Sequence, residues 1–174
     1  MNITGKLAVA AVGLALVTPV FGADYPTLKN GQWELTATRV GADGTPRTST
    51  ICLDAATQKA MIEMGTGMQK SMCTKMDMRR EGSRYVSEAE CRFGESVMRS
   101  HGVMTMSGDT AYHTESTATF DPPVMKDVRE TKTVIDGKYT GPCRDGLVPG
   151  DVMTPTGQKI NLNALQERAA AKGK

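Results

Sequence analysis

From Gly31 onward, most of the chain changes polarity at every residue. In GQWELTATRV, Trp33, Leu35 and Ala37 fall on one side of an extended strand, and Glu34, Thr36 and Thr38 on the other. The same period of two recurs in PRTSTICL, CTKMDMRR, SRYVSEAECRF, SVMRSHGVMTMS, TAYHTESTATF and KDVRETKTVID. Turn signals separate these runs: Asp43-Gly44, Glu81-Gly82, Gly94-Glu95, Gly108-Asp109 and Asp136-Gly137. Asp121-Pro122-Pro123 predicts a loop, because proline has no N–H for a ladder. This punctuation predicts a mainly β chain, a curved antiparallel meander or barrel-like sheet of about seven or eight strands.

One stretch breaks the period. In DAATQKAMIEM, Asp54 can accept the free amide hydrogens of a first helical turn, and Gly65 and Gly67 close a short helical insert. The run MIEMGTGMQKSMCTKMDM holds six methionines, at 61, 64, 68, 72, 76 and 78. The first five are three and four residues apart. They can seat the insert on the sheet, since the thioether fills irregular gaps, or capture Cu(I) or Ag(I), which prefer soft sulfur ligands. A second group depends on register. A two-residue turn at Gly108-Asp109 places Met98, Met104, Met106 and His113 on one face, a candidate soft-metal set. A three-residue loop flips the register and dissolves that set.

The N-terminus has the layout of a secretory signal peptide: Lys6, an apolar run from Leu7 to Val17, Thr18-Pro19, and small residues for cleavage after Gly22 or Ala23. The run is too short for a permanent span, which needs about 20 residues, so no transmembrane anchor is expected after cleavage. The expected organisation is a signal peptide over 1–22, an antiparallel β domain over 23–143 and a C-terminal extension over 144–174. LNALQERAAAK can form a final helix capped by Asn161 or Asn163, with Leu162 and Leu165 toward the sheet, or the extension can stay unstructured.

Four cysteines, Cys52, Cys73, Cys91 and Cys143, in an exported chain predict two disulfides. Of the three possible pairings, Cys52–Cys73 with Cys91–Cys143 is favoured here: the first clips the insert and the second ties the end of the domain to a middle strand.

Without Lys6 the chain carries 20 basic and 19 acidic residues. It has no basic stripe with interleaved aromatics, so nothing points to nucleic acid. No nucleophile elbow, metalloprotease helix or phosphate-cradling loop occurs, and no cofactor is implied. The chain therefore reads as a binding protein and not an enzyme. An apolar sheet face crossed by a helix can cradle an apolar small molecule, with Trp33, Leu35, Tyr85, Phe93, Tyr112 and Phe120 as candidate lining residues. An envelope protein docking on an edge strand or on the tail is the other candidate partner.

The order of these features resembles the bacterial exported family known as domain of unknown function 3617. The resemblance rests on the leader, the G-x-W-E start at Gly31, Trp33 and Glu34, the C-L at Cys52-Leu53, the helical insert, Cys73, Cys91 within a strand, Met- and Gly-rich hairpins, and Cys143. Asn30 stands where many members carry proline. The resemblance implies a periplasmic protein of a Gram-negative envelope and supplies no catalytic residues.

Overall fold

The structure, a computed structural model, describes residues 25–40, 44–124 and 127–172. The leader and Asp43 lie outside them. Among the described residues, nine strands form one open antiparallel sheet. They are β1 (Gly31–Val40), β2 (Arg47–Leu53), β3 (Cys73–Glu81), β4 (Arg84–Phe93), β5 (Ser96–Ser107), β6 (Ala111–Val124), β7 (Val128–Gly141), β8 (Asp151–Met153) and β9 (Lys159–Asn161). Their order is β3-β4-β5-β6-β7-β1-β2-β8-β9, so the sheet has two edges and is not a closed barrel. Two helices complete the fold, α1 (Ala55–Met72) and α2 (Leu162–Lys172).

The alternation determines which side of each strand is inner. Trp33 stands opposite Ile51 on β2 and Tyr139 on β7. Trp33, Ile51 and Leu53 form the buried core, against which Leu28, Leu35, Tyr112, Tyr139, Val152 and Leu162 pack. Tyr112 stacks on Trp33 with ring centroids 5.9 Å apart. The indole N–H donates to the Lys29 carbonyl at 2.8 Å, so the only polar atom of the side chain is satisfied.

Two turn signals are overruled. Asp136-Gly137 lies inside β7, where Gly137 faces Tyr112; a Cβ there would collide with the tyrosine ring. Glycine is present for close approach and not for bending. Asp121-Pro122-Pro123 does not end its strand. β6 continues to Val124 across a register break between Thr119 and Val124, and the Pro122 carbonyl accepts from the Ser96 hydroxyl at 2.7 Å.

The insert is longer than its glycines suggest. α1 runs 18 residues through Gly65 and Gly67. Asp54 caps it, accepting from the Thr57 amide at 2.7 Å, and this bond with the Thr57 hydroxyl contact holds the carboxylate below its ordinary pKa. α1 begins beside Leu53, at the β2 corner, and ends at Cys73, the opposite corner on edge strand β3. By register Leu53 lies six residues to one side of the row that joins Arg47 to Arg80, and Cys73 seven residues to the other, so a flat seven-strand sheet would hold them about 29 Å apart across the strands and about 43 Å apart along them. That diagonal is about 52 Å, whereas 18 helical residues reach about 27 Å. The sheet must therefore coil toward α1.

This crossing explains why the favoured disulfide pairing is wrong. α1 does not return beside β2; it delivers Cys73 to the far edge, directly opposite Cys91 on β4. The bonds are Cys73–Cys91 and Cys52–Cys143, the latter reaching over the end of β1 with Cα atoms 5.6 Å apart.

The C-terminal extension is ordered into the same sheet. β8 pairs with β2, and the Gly150 amide donates to the Cys52 carbonyl at 2.9 Å. Gly150 has φ 92°, and a Cβ would meet the Asn163 side-chain amide at 2.6 Å, so any other residue there would be strained and would displace Asn163. Asn161 caps α2 by accepting from the Ala164 amide at 2.9 Å. Leu162 reaches the core; Leu165 is exposed.

Candidate functional site

The sheet's two faces differ in chemistry. On the outer face, long side chains pair across strands, Lys75 with Glu88 at 3.2 Å and Arg99 with Glu90 at 3.0 Å, and along β3, Arg79 with Glu81 at 3.0 Å. Lys75 holds the Glu88 carboxylate below its usual pKa. Both histidines lie on this face. His101 stands opposite Thr117, and His113 opposite Thr105, four residues or about 13 Å along β5. The two histidines thus share a face but remain apart. His113 contacts Asp136 at 2.7 Å and Glu115 at 3.5 Å, and those carboxylates raise its pKa.

The inner face reads in rows across the strands. One row is Tyr85, Met104, Thr114 and Ile135; another, about 20 Å away along the strands, is Cys91, Met98 and Phe120. Between them lie two rows of short side chains, Ser87–Gly102–Ser116–Thr133 and Ala89–Ser100–Ala118–Thr131. Trp33, Ile51 and Leu53 fill the other end of this face. The short-residue end has no matching mass: Met98, Met104 and Phe120 are only half-buried.

α1 carries an unusual stripe. Among its half-buried residues, Gln58, Ile62, Gly65, Gln69 and Met72 repeat every three and four positions, the spacing of one helical face, with Ala60 and Thr66 off that line. That stripe is poor in bulk, and a Cβ on Gly65 would meet nothing within 4 Å. The Gln58 amide is engaged at the near end, donating to the Leu28 carbonyl and accepting from the Leu28 amide, both at 2.9 Å. Beside it, Thr27–Asn30, the first turns of α1 and Asp109 border a cleft of about 840 Å³. On the inner face, the buried Thr114 hydroxyl has no hydrogen-bond partner.

The six candidate lining residues share the inner face by register, with different fates. Trp33, Leu35 and Tyr112 belong to the packed core. Tyr85 and Phe120 stand in the two rows that bound the floor, and Phe93 sits exposed beside the Gly94 turn. The floor itself escaped sequence reasoning, because serine, alanine and glycine carry no signal until register aligns them across four strands. The metal set is dissolved. Ser107 pairs with Ala111, leaving a three-residue loop of Gly108, Asp109 and Thr110. Met98, Met104 and Met106 stay inner while His113 turns outward.

A family model described as a protein of unknown function, DUF3617, matches residues 28–143. No curated protein matches the chain.

Proposed function

The chain belongs to the DUF3617 family of unknown function, and from that premise we propose that it is an exported, periplasmic, non-catalytic protein that binds an apolar small molecule bearing a polar end. The ligand lies between α1 and the inner face. One observation carries this reading. The inner face has a floor of Ser87, Ala89, Ser100, Gly102, Ser116 and Ala118, and α1 has a half-buried stripe centred on Gly65, so neither supplies the bulk of a closed core. Tyr85, Met104, Met98 and Phe120 give apolar walls, and the floor hydroxyls of Ser87, Ser100 and Ser116 give polar contacts. An apolar body with a few polar anchors is the usual make-up of a small-molecule site.

The competing partner, an envelope protein held by the tail, has less support: residues 150–162 are hydrogen-bonded into the sheet and leave little free segment to offer. The test is native mass spectrometry of the exported protein with displacement of a fluorescent fatty-acid analogue. The parent should bind the analogue, and Ser100→Leu with Ala118→Leu, which fill the floor, should abolish binding without loss of fold. A parent that is always ligand-free and never takes up the analogue would refute the proposal.

A further inference from the structure

Three of the four methionines of α1 lie outside its sheltered stripe. Met61, Met64 and Met68 are 39%, 44% and 58% exposed, while Gln58, Ile62, Gly65, Gln69 and Met72 are half-buried. Positions 61, 64 and 68 are three and four apart, which stacks them on one flank of the helix. We propose that Met61, Met64 and Met68 form a binding site for a soft monovalent cation, Cu(I) or Ag(I).

Thioether sulfur is a soft, uncharged donor that selects these ions over Mg²⁺, Ca²⁺ or Zn²⁺. Each methionine has three rotatable side-chain bonds beyond Cα, so neighbours one turn apart can converge on one ion. The local charge permits it. The basic residues of α1, Lys59 and Lys70, fall on the opposite side of the helix, and Lys59 is paired with Glu63 at 3.7 Å. Nearest the methionine flank are Thr57, Ala60 and Ser71, none of them cationic. The site is independent of the inner-face ligand, because its residues sit outside the sheltered stripe.

Ag(I) is the cleaner probe, since it needs no reductant and leaves both disulfides intact. Calorimetric titration of the full oxidised protein with Ag(I), in chloride-free buffer, should show a single saturable site. M61L/M64L/M68L keeps the apolar volume of the flank and should keep the circular dichroism spectrum, while weakening binding by about tenfold or more. Because thioethers do not titrate, binding should persist near about pH 5, where a histidine site fades. M98L/M104L/M106L should bind as the parent does. Absence of saturable binding in the parent, undiminished binding in the first variant, or loss in the second instead, would each overturn the assignment.

Discussion

Single residues show where the chain departs from optimal stability. The Thr114 hydroxyl is buried on the inner face without a partner, and such a group costs about 1–3 kcal/mol. Thr114→Val keeps the shape and removes the polar atom, so thermal unfolding of the ligand-free protein should shift toward higher stability, by about 1 kcal/mol. Asp151 is the opposite case. It accepts from the Asn161 amide at 2.8 Å and the Val148 amide at 3.0 Å, with Lys159 3.5 Å away, and these contacts hold its pKa below the ordinary carboxylate value. A lowered folded pKa means the carboxylate's contribution is whole above the unfolded pKa and fades as pH falls through the folded one. Denaturant midpoints should therefore drop in that acidic window for the parent and drop less for Asp151→Asn, which starts lower at neutral pH.

At the scale of elements, α1 is the most informative. Gly67 lies inside the helix with open space around a would-be Cβ. Gly67→Ala should raise stability by about 1 kcal/mol, the usual glycine-to-alanine difference in a helix interior, measured by urea denaturation. Asp54→Ala should lower it by about 1 kcal/mol through loss of the cap. The strands themselves were legible from alternation, because a half-buried sheet forces a period of two. Where the sequence misled, a tertiary contact had reassigned a residue: Gly137 marks the seat of the Tyr112 ring, and Gly65 and Gly67 sit within a helix held at both ends by the sheet. Register was less legible. Gly108-Asp109 fits a two- or a three-residue loop equally well, and the difference sends His113 to the other face. Side-chain pattern alone carries no term that distinguishes them.

For the whole molecule, the disulfides do unequal work. Cys52–Cys143 closes a sequence separation of 91 and Cys73–Cys91 one of 18. In the chain-entropy model these give about 4.6 and about 3 kcal/mol. Cys52→Ser with Cys143→Ser should thus be the more destabilising pair of changes, by calorimetry of the oxidised proteins. The pairing was beyond the sequence because it depends on where α1 ends, and nothing local to Cys73 reports that it sits at the far edge. The open edge on β3 carries Lys75, Asp77 and Arg79, charges that discourage another chain from adding a strand.

The diagonal course of α1 gives the sheet the mechanics of a strung bow. The helix is tied at both tips, and it is too short to lie along an unbent frame. Any guest that pries the frame wider must either draw the string taut or fray one of its fastenings, so occupancy of the interior would be felt first at Asp54 and at Cys73.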